Sequence, residues 1–171
     1  MNDYPHIVGA GLPRTGTTTL RAALKILGFP KDKIHVGDQI VLNGWNHYQK
    51  LDNLYPQGKT IYTKRESPEK WLSSVMSRTK VIGGNESILR NRERMYGSRT
   101  VVPELYLPKY WKREVDVTGY FQDKYHADWK DKLLVIAWEE NSGEENWRLL
   151  CNFLFMEIPD IEFPHKNKSK T

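Results

Sequence analysis

The chain has 171 residues and a formal net charge of +5, from 26 lysines and arginines against 21 aspartates and glutamates. This length predicts one domain over residues 1–171, and the single cysteine, Cys151, excludes an intrachain disulfide and a cysteine-rich zinc site. The longest apolar run, 133–138, is far shorter than the ~20 residues that span a bilayer. Because the N-terminal residues also lack the pattern of a secretory signal, we expect a cytoplasmic protein whose charge is compatible with an anionic partner.

Short apolar runs alternate with helical periodicity in the first half of the chain. Residues 6–10 predict a buried strand, and apolar residues at helical spacing then predict a helix that ends near Gly28. A short strand is expected at 33–36, and a longer one at 59–64 follows a turn-like segment.

The same alternation continues in the second half. Ser67 and Pro68 favour the start of a helix, and the segment 80–112 predicts a helix plus an irregular loop, a lid or acceptor-side insertion that covers a site. Three further elements are expected: a helix over 114–129, a buried strand over 133–137 and an amphipathic helix over 144–155. The pattern predicts an α/β fold in which helices flank a mostly parallel sheet in three layers.

The most informative segment is the loop 9–19, between the first strand and the first helix. Glycines and small hydroxyl residues there let backbone N–H groups converge on a phosphate-like group, as in a P-loop fold. The spacing of Gly11 and Gly16 satisfies the first half of the pattern GxxxxGK[ST], but Thr17 stands where lysine is required. The missing lysine argues against a nucleotide or small-molecule kinase, and a non-catalytic nucleotide-binding module stays open as another alternative.

Residues 13–20, PRTGTTTL, resemble the 5′-phosphosulfate loop of sulfotransferases that use 3′-phosphoadenosine 5′-phosphosulfate (PAPS). The C-terminal residues 163–167, FPHKN, resemble a compact, bacterial-type branch of these P-loop sulfotransferases. The resemblance of the loop implies that Arg14 contacts the bridging and sulfuryl oxygens of PAPS, a task for which its forked donors are suited. It also implies that the 5′-phosphate is surrounded by Thr15, Gly16, Thr17, Thr18 and Thr19, and that no metal is needed.

Two further segments resemble the same family. An arginine after a strand and a serine eight residues later hold the 3′-phosphate in such enzymes, and here Arg65 and Ser73 have that spacing. The strand at 133–137 leads into Trp138, which the resemblance places near the adenine. Trp138 is equally well explained as an aromatic residue at the edge of the core.

Sulfuryl transfer to an alcohol or amine requires a base that removes the acceptor proton. The resemblance implies that the base lies between the loop and Arg65, where the candidates are His35, Asp38 and His47. His35 is narrowly favoured, because it lies on or just after the second strand, close to where several branches of the resembling family have a catalytic acid–base residue. Histidine is suited to this role at neutral pH. Each histidine is also well explained as a structural residue, and Asp38 as a group that orients one of them.

The acceptor is weakly constrained by the sequence. We expect a small molecule or carbohydrate, with no nucleic acid and no membrane as partner. Six aromatic residues provide either an apolar or sugar-stacking pocket or ordinary packing: Trp45, Tyr48, Tyr96, Tyr106, Tyr110 and Trp111. The run Arg90, Arg92 and Arg94 provides either an anion site or a solvated helix face.

Overall fold

Four parallel strands form the centre of the molecule in the computed structural model, which describes residues 4–37, 44–82 and 85–164. The strands are β1 (Ile7–Gly9), β2 (Ile34–His35), β3 (Lys59–Lys64) and β4 (Leu133–Ala137). Their order across the sheet is β2-β1-β3-β4, and every neighbouring pair is parallel. The predicted α/β class and parallel sheet are therefore confirmed.

Seven α-helices connect and cover these strands in the described part of the chain. They are α1 (Thr17–Ile26), α2 (His47–Leu54), α3 (Pro68–Ile82), α4 (Glu86–Tyr96), α5 (Pro103–Tyr125), α6 (Trp129–Lys132) and α7 (Gly143–Leu154). Short 3₁₀ turns occur at Lys31–Lys33, His126–Asp128 and Trp138–Glu140.

The two faces of the sheet are covered by different helices, because successive side chains of a strand point to opposite faces. Ile7 and Ile61 pack with the apolar sides of α1 and α7. Val8 and Tyr62 face the other way and pack with residues of α2 and α5. Helix, sheet and helix thus form the three predicted layers.

Helix α5 is longer than the sequence predicts, since it begins at Pro103 and not at 114. Proline at the first helical position lacks only an N–H that would be unpaired there. The helix also contains Pro108, because Tyr106 and Tyr110 are buried against Trp71, with 4.9 Å between the ring centroids of Trp71 and Tyr110. Burial of these rings outweighs the backbone hydrogen bond that Pro108 cannot make.

The segment 80–112 is mainly helical in its described part and lies beside the loop. Helices α3 and α4 and the start of α5 share one apolar cluster with a loop residue, formed by Leu12, Trp71, Val75, Met95, Tyr96, Tyr106 and Tyr110. The role of this segment as a lid or acceptor-side insertion stays a prediction, as does the single-domain organisation over residues 1–171.

No helix in the described ranges is long and apolar enough to cross a membrane.

Candidate functional site

The loop between β1 and α1 has a backbone that most residues could not adopt. Arg14 has φ of 74° and Gly16 has φ of 93°, both in the left-handed region. A Cβ atom on Gly16 would overlap the indole ring of Trp138. Glycine at this position is therefore required both by the backbone angle and by the neighbouring ring.

Side chains from distant parts of the chain hold the carbonyl groups at the beginning of the loop. His47 Nε2 donates to the carbonyl of Gly9 at 2.9 Å, and Arg113 Nε donates to that of Ala10 at 2.9 Å. Arg113 is fully buried, and burial lowers its pKa to about 10. It also donates to the carbonyl of Trp45.

The remaining part of the loop is held in the same way. The Nε1 atom of Trp71 donates to the carbonyl of Pro13 at 3.0 Å, and Arg65 Nε donates to that of Arg14 at 2.8 Å. Trp138 Nε1 lies 3.3 Å from the carbonyl of Gly16.

Anchored carbonyls fix the direction of the loop's amide groups. The carbonyl and the N–H of one peptide plane point in opposite directions, so a carbonyl held by the protein turns the next amide away from that contact. The first N–H groups of α1 have no partner within the helix and lie at its positive end. Together these groups form a site suited to a phosphate or sulfate group.

The threonines of the loop divide into inward and outward groups. Thr15 is 1% exposed, and its hydroxyl donates to the Leu12 carbonyl at 2.6 Å and lies 2.9 Å from the hydroxyl of Thr63. Thr19 is also buried. Thr17 is half-buried and Thr18 is exposed, so these two stand at the open side of the first turn.

Two of the predicted arginines meet at one serine. The Oγ atom of Ser74 lies 3.3 Å from Arg14 Nε and 3.4 Å from Arg65 Nη2. Arg65 also forms an ion pair with Glu139, which follows β4. Burial and the nearby charges of Arg65 and Arg78 lower the pKa of Arg14. The site thus brings two guanidinium groups together, of which Arg65 is paired with one carboxylate.

The serine that contacts these arginines is not the one that the spacing selected. Ser73 is exposed, whereas Ser74 is half-buried and faces the loop. Residues three and four apart share a helix face, and Ser74 follows the buried Trp71 by three positions. The position of Trp71 on α3 was the sequence signal that could have identified Ser74.

Trp138 lies beneath the loop. It is 5% exposed, packs with its ring centroid 5.0 Å from that of Phe163 and belongs to the apolar cluster on the α1 side of the sheet. Its contact with the loop is the packing of its indole ring against Gly16. The predicted contact with adenine stays a prediction.

His35 ends β2, which is an edge strand of the sheet. Its Nε2 atom is 2.9 Å from Nδ1 of His6, and both imidazole rings stack with Tyr55. His35 is the last residue of β2, but its ring contacts two residues that lie before their strands, since His6 precedes β1 and Tyr55 precedes β3. The structure does not bring His35 to Arg14.

His47 touches the loop but is enclosed. It is 1% exposed, and its Nε2 hydrogen is engaged by the carbonyl of Gly9. Burial lowers the pKa of His47 to about 4, so the ring is neutral at physiological pH. Asp38 lies outside the described residues.

The aromatic residues considered for an acceptor pocket mostly serve as packing. The rings of Tyr48, Tyr96, Tyr106 and Tyr110 are buried in apolar clusters, while Trp111 is 51% exposed. Trp45 is half-buried, and its indole donates to Asp116 at 2.8 Å.

Comparison with known proteins agrees with this geometry. A family model described as a sulfotransferase domain matches residues 6–49 and 41–171, which include the loop, Arg65 and Ser74. A search among curated proteins gives no match. Within the described ranges, no group of three or more histidine, cysteine or carboxylate side chains could hold a metal ion.

The requirement for glycine at position 16 can be tested by substitution. Gly16→Ala is expected to lower the free energy of unfolding by at least ~2 kcal/mol, because alanine is strained at this φ and collides with Trp138. Denaturant unfolding measures the change. Gly119→Ala is the matched control, because nothing lies within 4 Å of a Cβ atom there and Gly119 is inside α5. That control should gain up to ~1 kcal/mol, and equal losses in both variants would contradict the assignment.

Burial of His47 predicts a dependence of stability on pH. The pKa of His47 is about 4 in the folded chain, against about 6.5 when unfolded. Between these values the unfolded chain binds the extra proton. The stability that His47 contributes is complete above pH 6.5 and is lost as the pH falls towards 4, by about 3 kcal/mol in total. The difference in free energy of unfolding between wild type and His47→Gln should shrink by about that amount from pH 7 to 4. A constant difference would show that His47 does not titrate in this way.

Proposed function

Because the chain belongs to the sulfotransferase family, we propose that it transfers a sulfuryl group from PAPS to a hydroxyl or amine of a small-molecule or sugar acceptor. The observation that carries this proposal is the meeting of the anchored loop with Arg14, Arg65 and Ser74. Loop and side chains provide two adjacent groups of anion donors. PAPS has two separate anionic ends, a 5′-phosphosulfate and a 3′-phosphate.

The loop and α1 would hold the 5′-phosphosulfate. The N–H groups of Ala10 and Thr15 donate to the carbonyls of Ile61 and Leu12. The donors for this end are therefore the amides that follow the anchored carbonyls of Ala10, Pro13 and Gly16, with the first N–H groups of α1. Thr17 and Thr18 add hydroxyl groups at the open side of the same turn. Bound PAPS supplies an activated sulfuryl group and a stable phosphate leaving group, which is the chemistry that the chain itself lacks.

Arg14 would stabilise the charge that develops during transfer. Its guanidinium stands at the loop, is half-buried and has a lowered pKa from burial and from neighbouring arginines. A cation with few compensating carboxylates interacts strongly with the oxygens of a sulfuryl group and of the leaving phosphate. Arg14 is the residue of the site best suited to this role.

Arg65 and Ser74 would bind the 3′-phosphate. Arg65 is fixed by the Arg14 carbonyl and by Ser74, so its orientation is set before any ligand binds. This assignment replaces Ser73 by Ser74 in the proposed phosphate site. It leaves Ser73 as an exposed residue on the same helix.

Among the predicted bases, neither histidine reaches the open side of the loop. His35 belongs to the stack with His6 and Tyr55, and His47 is enclosed behind the Gly9 carbonyl. We assign His47 a positioning role, in which it holds the first carbonyl of the loop. Proton removal by Asp38 stays a prediction from the sequence.

Cytoplasmic location and the expected absence of nucleic acid and membrane partners also stay predictions. They rest on composition and motifs, and nothing in the site adds to them.

Donor binding is tested with the desulfated nucleotide, 3′-phosphoadenosine 5′-phosphate (PAP). PAP should raise the melting temperature of the wild type, with or without EDTA, because the proposed site holds the nucleotide without a metal. Arg65→Ala and Ser74→Ala should each weaken PAP binding at least fivefold in calorimetric titration, because each loses a donor to the phosphate. Ser73→Ala is the matched control and should bind PAP like the wild type. A larger loss with Ser73→Ala than with Ser74→Ala would reverse the assignment, and no PAP binding by the wild type would refute the proposed donor.

The ion pair between Arg65 and Glu139 predicts competition with the nucleotide. A 3′-phosphate at Arg65 must approach the Glu139 carboxylate, and like charges at this distance repel. Glu139→Gln should therefore bind PAP several-fold more tightly than the wild type in the same titration. Glu140→Gln, which changes an exposed neighbour, is the control and should leave PAP affinity unchanged. Weaker binding by Glu139→Gln would instead mean that the carboxylate holds Arg65 in its productive position.

A further inference from the structure

A cavity of about 440 Å³ lies between α3 and α4 and opens beside the loop. Its walls are partly apolar, with Val75, Ile88 and Met95 among the lining residues. The polar side of the cavity is formed mainly by three arginines: Arg14, Arg78 and Arg92. A cavity of this size accommodates a small organic molecule.

Arg92 is the unusual member of this group. It is only 8% exposed, whereas Arg90 and Arg94 on the same helix are exposed. Arg90 is bonded to Glu86 at 3.1 Å. In the part of the chain that the structure describes, Arg92 has neither an ion pair nor a hydrogen bond. The nitrogen atoms of Arg92 are not among the buried atoms that lack a partner, so its guanidinium faces the open space of the cavity. A guanidinium with no anionic partner at the wall of a half-apolar cavity is free to pair with an anion bound there.

The positive charge of the arginines around the cavity is not neutralised by carboxylates of the cavity wall. No carboxylate is among its lining residues, and the acidic residues Glu86 and Glu93 of α4 are bonded to Arg99 on the exposed side. The charge of Arg78 contributes to the lowered pKa of Arg14, so these two cations lie close to each other. The cavity therefore has a positive potential next to apolar walls.

Arg14 belongs to both parts of the site. Its Nε atom contacts Ser74 on the side proposed for the donor, and its side chain also lines the cavity. A molecule in the cavity would lie next to the residue proposed to hold the sulfuryl oxygens. The cavity is thus in the position that an acceptor requires.

We propose that this cavity binds the acceptor, and that the acceptor is a small organic acid whose carboxylate or similar anionic group pairs with Arg92 and Arg78. Its apolar body packs on Val75, Ile88 and Met95, and its hydroxyl or amine points to Arg14. This inference rests on the proposed function. In the transfer, the acceptor oxygen or nitrogen bonds to sulfur, the bond from sulfur to the bridging oxygen breaks with its electron pair leaving on the 5′-phosphate, and the acceptor proton passes to a base or to water.

The test compares matched pairs of an acid and its neutral amide. Calorimetric titrations use 4-hydroxybenzoate with 4-hydroxybenzamide, 4-hydroxyphenylacetate with its amide, and 3-hydroxybutyrate with its amide, each with and without saturating PAP. The wild type should bind the acid at least tenfold more tightly than the amide in one pair or more, with PAP present. Arg92→Gln should remove this preference and leave amide binding unchanged, while Arg92→Lys should keep part of it.

Two further variants, both at exposed arginines, distinguish loss of the acid preference from loss of the fold. Arg78 is exposed, so Arg78→Gln should fold normally and reduce the preference for the acid at least threefold. Arg90→Gln alters an exposed arginine of the same helix and should bind like the wild type. A melting curve for each variant identifies any loss of fold.

The outcomes separate this inference from the proposed function. Equal affinity for acid and amide in all three pairs overturns the acceptor class, even if PAP binds as expected. Loss of the acid preference when PAP is added shows that the nucleotide itself fills the cavity, which also overturns the inference. A wild type that prefers the acids but does not bind PAP retains an anion site in the cavity and refutes the PAPS-dependent function.

Discussion

The binding loop depends on one constraint, which is that its carbonyl groups are held by side chains of the surrounding fold. Side-chain donors from α2, α3, α5 and the ends of β3 and β4 bind five carbonyls of the segment 9–16. The hydroxyl of Thr15 binds a sixth, that of Leu12. Once the carbonyls of Ala10, Pro13 and Gly16 are fixed, the amide that follows each of them is held in one orientation. Preorganisation of this kind removes the cost of ordering the loop when a ligand binds.

The charges of the site follow from the same arrangement. Arg65 donates from Nε to the Arg14 carbonyl and forms an ion pair with Glu139 through Nη1. The side chain that holds the loop backbone thus also provides positive charge for a ligand. Arg14 is placed by its strained backbone between Ser74 and the cavity. Of the positive charges in the chain, those that matter for the site are thus a few guanidinium groups around one loop. A general affinity for polyanions is not needed to explain them.

Local patterns predicted those parts of the molecule that local forces determine. The strand, loop and helix around Gly16 follow from periodicity and from backbone requirements that a sequence displays directly. Arg65, the arginine after β3, was selected by resemblance to the sulfotransferases. The length of α5 did not follow, because burial of Tyr106 and Tyr110 against Trp71 is a tertiary contact that overrides the proline inside the helix, Pro108. Ser73 was selected because it lies eight residues after Arg65. That count does not consider which face of α3 contacts the loop, and this face is marked by the buried Trp71, three residues before Ser74. The position of His35 depends on His6 and Tyr55, which no local pattern connects with it.

The anchors of the loop have a consequence for how the molecule becomes functional. They join residues that are 38, 51, 58, 103 and 122 positions apart in the chain. Contacts between such distant residues close large loops and form late relative to local helices. A fragment that contains only β1, the glycine-rich loop and α1 would therefore lack the side-chain donors that orient the loop. Competence to bind an anion is a property that the chain acquires only when β4 and α5 have joined the rest, near the end of folding.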